Sequence, residues 1–250
     1  MPIDDDAGAL TFRLAEPEDL PEVADLFLAS RTAAGGAMPP IAAPWDVVRG
    51  HIESWDLSVR EVWVAEDALG LSGFATLTGA WLESLYVAPE RQGCGVGTAL
   101  LDLAMALRPE GFGLWVFASN APARGFYRRH GLIELEHTDG SANPERQPDI
   151  RMVWPGQDPL TYLRHQIDEV DANLAELLAR RFALTAAVQG QKAASGTAGG
   201  HAGRDLARER AIVTRMVQHV PGLDADRVAP IMDVVIGESL TAWETTQRES

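Results

Sequence analysis

Cysteine is almost absent from this 250-residue chain, since Cys94 is the only one. No internal disulfide can form, which predicts a reducing compartment, and we expect a cytoplasmic protein. No stretch reaches the ~18 consecutive apolar residues that a membrane helix requires. The first residues lack the basic segment and apolar run of a signal peptide. We therefore expect neither a membrane span nor a leader peptide.

Positive charge is also scarce. The net charge is −15 at pH 7, from 21 Lys and Arg against 36 Asp and Glu. Such a surface repels nucleic-acid phosphates and anionic membranes, so we expect neither as a partner. Cationic substrates remain possible, although an ordinary solvated acidic surface explains the same charge. The hydrophobic fraction of 46% is sufficient for well-packed cores.

The two halves of the chain differ in their hydrophobic pattern. Up to residue 154, short strand-like segments alternate with segments of helical periodicity, whereas everything after residue 159 has helical spacing. Between them, Pro155 to Pro159 is a Pro- and Gly-containing break. We predict an N-terminal domain at 1–154, a linker at 155–159 and a C-terminal domain at 160–250.

The C-terminal half begins with a segment that predicts one long helix, from Leu160 to Lys192. Its apolar residues recur in steps of three and four, which defines a narrow seam on one side. Arg181 interrupts that seam between Leu177 and Leu184. Burying a guanidinium is costly without an anionic partner. We therefore expect Arg181 to meet an anion.

A glycine-rich segment is the most specific local pattern in the first half. A strand ending at Val87 leads into Gln92-Gly93-Cys94-Gly95-Val96-Gly97-Thr98 and then directly into an apolar helix. Glycines allow close approach of a ligand to the backbone, and a helix N-terminus attracts anions, which together predict a pyrophosphate site. The preceding elements exclude a Rossmann fingerprint, and no Gly-Lys-Ser/Thr follows, which excludes a Walker loop.

Two motifs here resemble the GNAT superfamily of acyl-CoA N-acetyltransferases. The first, Arg/Gln-x-x-Gly-x-Gly/Ala, is matched by Gln92, Gly95 and Gly97. The second, Asn-x-x-Ala-x-x-Phe-Tyr-x-x-x-Gly, is matched from Asn120 to Gly131. The resemblance covers residues 10–154. It implies an α+β fold with a mixed β-sheet and acetyl-CoA as cosubstrate.

The GNAT resemblance also implies residue roles. Tyr127 would be the general acid that protonates the leaving CoA thiolate, although ordinary helix packing would also account for it. Cys94 lies at a position where the motif does not specify a residue type. We therefore expect it to have no catalytic role, rather than to act as a nucleophile. The expected cofactor-binding residues are Leu85, Tyr86, Val87, Gln92, Gly93, Cys94, Gly95, Val96, Gly97, Thr98 and Asn120.

The base that accepts the amine proton is less defined. Glu83 lies just before the Leu85–Val87 strand, where related enzymes often have an acid, and it is either this base or a structural carboxylate. Strand alternation requires it to be buried or to lie at a β-bulge. The polar segment from Asp139 to Asp149 is either a plain hairpin loop or part of the acceptor site, with Glu145 or Asp149 holding an ammonium group.

In the C-terminal half, Asp205, Arg208 and Glu209 share one helix face. Alone, this cluster is typical of a surface salt-bridge array. Together with Arg181 and Lys192, it resembles the all-helical AroQ-type chorismate mutases over residues 158–245. Those enzymes are dimers of three-helix subunits whose long first helices pair, so we expect a homodimer through the C-terminal helices.

The mutase resemblance implies a site that needs no metal and no cofactor. Holding the dianionic substrate in its reactive conformation and stabilising charge on its ether oxygen suffice for the rearrangement. Arg164 would come from the partner, Lys192 would hydrogen-bond the ether oxygen and a carboxylate, and Asp205 and Glu209 would hold the ring hydroxyl. Arg181, Arg208 and Ser239 would serve the carboxylates. Trp243 stands where the family usually has Gln or Glu.

We therefore expect a fusion of two enzymes, an acetyl-CoA-dependent N-acetyltransferase acting on an amine and a mutase converting chorismate to prephenate. Because of Trp243, the C-terminal domain has alternatives: an isochorismate lyase, an aminodeoxychorismate mutase relative, or a non-catalytic dimerisation module. A CoA-binding regulatory module is the alternative for the first half.

Overall fold

The computed structural model of the protein describes residues 9–195, 205–219 and 223–249. The chain forms two compact units, which divide between Leu163 and Arg164. The first unit contains β1 (Thr11–Leu14), α1 (Leu20–Ala33), α2 (Trp45–Glu53), β2 (Glu61–Asp67), β3 (Gly70–Thr78), β4 (Trp81–Val87), α3 (Val96–Leu107), β5 (Phe112–Phe117), α4 (Ala121–Arg129), β6 (Ile133–His137) and β7 (Asp149–Trp154). The helices α5 (Pro159–Ala194), α6 (Leu206–His219) and α7 (Ala225–Glu249) complete the chain.

The strands of the first unit form one seven-stranded sheet in the order β1-β2-β3-β4-β5-β7-β6. All neighbouring strands are antiparallel except β4 and β5, which are parallel. The sheet is therefore mixed, as expected for the first half. The strand β6, which the sequence analysis did not predict, is an edge strand paired only with β7.

Hydrophobic clusters hold helices against this sheet. One contains Leu100 and Leu101 of α3 with Leu114 and Met152 of the strands, all at most 2% exposed. A second joins α1 and α2 to β2 and β3. Gly73 of β3 lies where α3 crosses the sheet, and a Cβ there would be 2.9 Å from the Tyr86 carbonyl oxygen. This close approach brings the start of α3 against the end of β4.

The second unit is helical. The three C-terminal helices are each capped at the start, because Asp158, Asp205 and Asp224 each accept a backbone N–H three residues ahead. The helices α6 and α7 share an apolar core around Val228, Met232 and Ile236. The predicted loop from Ala193 to Gly203 and the turn at Pro221 and Gly222 lie mostly outside the described residues.

The helix α5 has 36 residues, so it is about 54 Å long at 1.5 Å per residue. Over this length it buries a single side chain, Gln189. Its apolar seam is exposed in the single chain, and Ile167, Leu177 and Leu184 are each about 60% exposed. Among the described helices, none is long and apolar enough to cross a membrane.

Candidate functional site

The sheet is split between β4 and β5. Their register contains one residue pair, Trp81 with Gly113, and the strands separate beyond it. A cavity of about 910 Å³ lies between them, a volume typical of ligand sites. Its walls include Ser30, Met38, Glu83, Leu85, Tyr86, Val87, Gln92, Gly93, Gly95, Gly97, Thr98, Trp115, Phe117, Asn120, Phe126, Tyr127, Arg129, Asn143 and Asp149.

The glycine loop forms one wall of this cavity. Gly93 and Gly95 have φ angles of +80° and +89°, the left-handed region that favours glycine. Gly95 is the N-cap of α3. A Cβ at either position would meet open space, so glycine is required by the backbone conformation and not by crowding. The loop therefore presents bare backbone beside a helix N-terminus, which is an arrangement suited to anions.

The amide groups of this loop divide into two sets. The Gln92 N–H donates to the Pro89 carbonyl at 3.4 Å, and the Cys94 N–H donates to the Arg91 carbonyl at 3.3 Å. These two amides close the turn. The amides of Val96, Gly97 and Thr98 belong to the first turn of α3 and have no partner within the helix. The Gln92 and Cys94 amides are thus engaged within the turn, while the first-turn amides of α3 suit an anion, and the Cys94 thiol is exposed.

A histidine that the sequence analysis missed supports Thr98. His130 Nδ1 lies 2.8 Å from the Phe126 carbonyl oxygen, and its Nε2 lies 3.3 Å from Thr98 Oγ1. Because Nδ1 faces a carbonyl, we assign the proton to Nδ1, so that Nε2 accepts from the threonine hydroxyl. The i, i+4 spacing between Phe126 on α4 and His130 at the C-cap of that helix is the sequence pattern that could have indicated this contact.

Tyr127 lies on α4 and lines the same cavity. Its side chain is buried, and its ring packs edge-on against Phe126 with centroids 5.2 Å apart. Burial raises the pKa of Tyr127 well above its ordinary value, and the nearby Tyr86 hydroxyl adds to the increase. The phenol therefore stays protonated at neutral pH. Asn120 both lines the cavity and caps α4, because its Oδ1 accepts the Ala123 N–H at 3.2 Å.

Glu83 lies at a β-bulge, which is one of the two expected situations. Thr76 pairs with Ser84 and Leu77 pairs with Leu82, so Glu83 is the extra residue between them. The bulge places Glu83 at the wall of the cavity. Arg60, which sequence reasoning missed, holds the Glu83 carboxylate with Nη2 2.7 Å from Oε2. The Arg60 guanidinium also stacks over the Trp55 ring at 4.5 Å.

The two acids predicted for the acceptor end have different surroundings. Asp149 lines the cavity and accepts a hydrogen bond from Asn143 Nδ2 at 2.9 Å. Glu145 instead faces the buried Arg31, with Oε1 3.6 Å from Nη2. Arg31 also donates to the Pro39 carbonyl and lies over the Phe117 ring. Of the two acids, Asp149 is the one that lines the cavity.

Arg181 contacts neutral atoms in the C-terminal unit. Its Nη1 donates to Ser239 Oγ at 2.8 Å and to the Val235 carbonyl oxygen at 3.3 Å, which joins α5 to α7. Ser239 is 1% exposed. Within the described ranges, no carboxylate lies within salt-bridge distance of this guanidinium, and burial lowers the pKa of Arg181. The seam arginine is therefore a partly buried cation whose counter-charge the described chain does not supply.

The remaining predicted mutase residues have varied positions. Arg164 and Lys192 are exposed on α5, and at 1.5 Å per residue Arg164 lies about 26 Å from Arg181 along the helix. Asp205 caps α6, with Arg208 and Glu209 in its first turn. Trp243 is half-buried one turn beyond Ser239 on α7. The structure thus joins Arg181 to Ser239 and keeps Arg164 far from both.

Comparisons with known proteins identify both halves. The family model described as Acetyltransferase (GNAT) domain matches residues 58–132. Peptidyl-lysine N-acetyltransferase YiaC of Escherichia coli (strain K12) is 30% identical over 146 residues, which cover 57% of this chain and 95% of YiaC. The chain belongs to the GNAT acetyltransferase family. The model described as Chorismate mutase type II matches residues 163–242, so α5 to α7 form a chorismate mutase type II domain.

Further relatives agree with the GNAT fold. Peptidyl-lysine N-acetyltransferase YjaB of the same organism is 37% identical over 84 residues, 34% of this chain and 56% of YjaB, so the chain spans little more than half of that relative. The solution structure of apo YjaB from Escherichia coli has a TM-score of 0.51 and 23% identity, and covers 59% of this chain and 99% of that chain. Both resemblances predicted from sequence are confirmed, as is the fold class.

Proposed function

We propose that the GNAT domain is an acetyl-CoA-dependent N-acetyltransferase whose acceptor is a primary amine, in the first place a peptidyl lysine. The observation that carries this proposal is the cavity in the split sheet, because the glycine loop and the protonated phenol of Tyr127 both line it. The two relatives named as peptidyl-lysine N-acetyltransferases support the acceptor class.

The residues of the cavity fit acetyl-CoA. The first-turn amides of α3 suit its pyrophosphate, and the β4 edge from Leu85 to Val87, where β5 has separated, suits its pantetheine amides. The Val87 carbonyl already accepts from Ser30 Oγ at 2.6 Å, so we assign that pairing chiefly to the backbone at Leu85 and Tyr86. When bound, the cosubstrate supplies an acetyl thioester.

Three side chains then have separate tasks. Asp149 attracts the acceptor ammonium to the cavity, and Glu83 accepts a proton from it, directly or through water. The Arg60 ion pair holds the Glu83 carboxylate in place. Tyr127 donates its proton to the departing thiolate, and burial keeps that proton available.

Release of thiol from acetyl-CoA in the presence of a lysine-containing peptide tests this proposal. We expect turnover that depends on Tyr127. Tight binding of CoA without transfer to any of a panel of peptides and small amines would instead favour a regulatory CoA-binding module.

We also propose that the C-terminal domain converts chorismate to prephenate without a cofactor. This rests on the Arg181 guanidinium, which is held by Ser239 and has no carboxylate partner in the described part of the chain. Arg181 and Arg208 would bind the substrate carboxylates, Asp205 and Glu209 the ring hydroxyl, and Lys192 the ether oxygen.

This mutase site is complete only in a homodimer. Arg164 lies about 26 Å along α5 from Arg181, far beyond the reach of its side chain, so it serves the site of a second copy. The exposed apolar seam of α5 supplies the contact surface. Incubation with chorismate tests the proposal, with prephenate as the expected product. A folded dimer that forms no prephenate would favour a dimerisation module, and other products would favour the isochorismate or aminodeoxychorismate alternatives.

A further inference from the structure

The chain contains one lysine, Lys192, and twenty arginines. Arginine carries positive charge without a nucleophilic amine, because its guanidinium stays protonated in proteins. Lys192 is therefore the only side-chain primary amine in the sequence. This single amine occurs in a chain whose GNAT domain, under the proposed function, acetylates amines.

Lys192 occupies an accessible position. It is exposed, and α5 ends two residues later at Ala194. Ala193, Ala194 and Ser195, which follow it, have small side chains that leave room around the lysine. Helix ends fray at low free-energy cost, so this last turn can open and present the side chain to a second protein surface.

The acceptor end of the GNAT cavity matches such a group. Glu83 and Asp149 line it with carboxylates, which attract an ammonium, and Trp115 and Phe117 offer apolar surface to a four-carbon stem. These two aromatic residues lie on β5 opposite Arg151 and Asp149 of β7.

We propose that Lys192 is an acetylation site of this protein's own GNAT domain, and that its acetylation switches off the mutase domain. The inference rests on the proposed functions of both domains. The lysine nitrogen, having lost a proton to the general base, forms an amide bond with the acetyl carbonyl carbon of acetyl-CoA. The carbon–sulfur bond of the thioester breaks, and the CoA thiolate takes its proton from Tyr127. The second proton that the nitrogen loses as the amide forms returns the Tyr127 phenolate to its neutral state.

Acetylation would abolish the function of Lys192 in the mutase. The neutral amide product has no charge with which to stabilise the ether oxygen, and loss of one such donor lowers a rate by roughly a hundredfold. Acetyl-CoA would thereby control the C-terminal reaction through the N-terminal one, which provides a reason for the fusion.

The test incubates the full chain with acetyl-CoA, maps acetylated peptides by mass spectrometry and then measures prephenate formation. Three chains are compared: the natural sequence, Tyr127→Phe and Lys192→Arg. A lysine-containing peptide, added in parallel reactions, reports acetyl transfer to an external amine. We expect acetyl-Lys192 and a loss of prephenate formation in the natural chain, neither change in Tyr127→Phe, and no change on incubation in Lys192→Arg relative to its own starting rate.

Two results would overturn the inference alone: acetylation of the external peptide with Lys192 unmodified, or equal acetylation of Lys192 in Tyr127→Phe, which would mark spontaneous chemistry. Absence of transfer to any amine would overturn the proposed transferase function together with this inference.

Discussion

Arg60 Nη2 lies 2.7 Å from Glu83 Oε2, at the bulge of β4 and at the wall of the cavity. The ion pair fixes one carboxylate beside the point where the sheet splits. A bulge re-aims a side chain that strand alternation would otherwise bury, and such bulges are frequent beside active sites.

Replacing Glu83 by Gln removes the proposed base while preserving the shape of the side chain. We expect kcat for amine acetylation to fall by roughly a hundredfold, with the KM for acetyl-CoA unchanged because the glycine loop is untouched. The matched control is Glu61→Gln, which breaks the comparable ion pair with Arg108 away from the cavity. Full activity in Glu83→Gln would assign the base elsewhere.

The raised pKa of Tyr127 predicts a loss of stability at alkaline pH. An exposed tyrosine has a pKa of about 10. Below that pH the folded and unfolded chains both keep the Tyr127 proton, so the buried phenol makes its full contribution to the stability of the folded state. At higher pH the unfolded chain releases the proton while the buried phenol retains it, and folding becomes less favourable. Above about pH 10, the Tm of the GNAT domain should fall more steeply in the natural chain than in Tyr127→Phe. Identical slopes would contradict this view of Tyr127.

Gly73 tests the packing that positions α3. A Cβ there would lie 2.9 Å from a backbone oxygen and 3.0 Å from Leu100 and Val96. We expect Gly73→Ala to destabilise the GNAT domain by about 1–3 kcal/mol, because overpacking must displace the helix or the strand. Gly50→Ala in α2, where a Cβ meets open space, should be neutral or slightly stabilising. Thermal unfolding of both variants measures the difference.

A mixing experiment tests whether the mutase site is shared between subunits. Arg164→Ala and Arg181→Ala should each abolish prephenate formation. Mixed after dissociation, they should recover about a quarter of the natural rate, because half of the dimers would be hybrids with one intact site. Arg180→Ala, at the exposed neighbouring position, is the control and should keep its activity. No recovery in verified hybrids would place Arg164 outside the site.

We expect replacement of Trp243 by a polar residue to increase the rate of prephenate formation. Trp243 lies one turn from Ser239, which accepts a hydrogen bond from Arg181, and the mutase resemblance places it where that family usually has Gln or Glu. A glutamine could donate there to the developing charge, so we expect Trp243→Gln to raise kcat for prephenate formation several-fold. An unchanged or lower rate, in a protein that unfolds at the same temperature, would show that tryptophan is the better residue here.

Local pattern made much of this structure predictable. The glycine loop and the helix that it starts depend on residues close together in sequence. The bulge was one of two alternatives that strand alternation allowed at Glu83. β6 was missed although Ile133, Glu134, Leu135 and Glu136 alternate as in a half-buried strand, because the segment has only five residues and lies at the edge of the sheet.

Side-chain pairs that are distant in sequence could not be predicted in this way. Arg31 and Arg60 meet Glu145 and Glu83 through the tertiary fold, and no spacing along the chain indicates such pairs. The expected counter-ion of Arg181 is replaced, within the described residues, by a serine hydroxyl and a backbone carbonyl. The proposed contribution of Arg164 belongs to a site formed by two copies, so no spacing within one chain indicates its contacts.

Contacts at the start of α5 determine where the chain can be truncated. The Gln157 N–H donates to the Pro109 carbonyl at 3.0 Å, and a Cβ at Gly111 would lie 2.7 Å from the Tyr162 ring. The transferase unit thus includes the first turn of the helix that continues into the mutase. A stop codon in the predicted linker would remove the contacts that Tyr162 makes with the turn before β5. A stop codon placed after Leu163 would keep those contacts. Truncation at that second position is the design by which the first unit can be measured without the second.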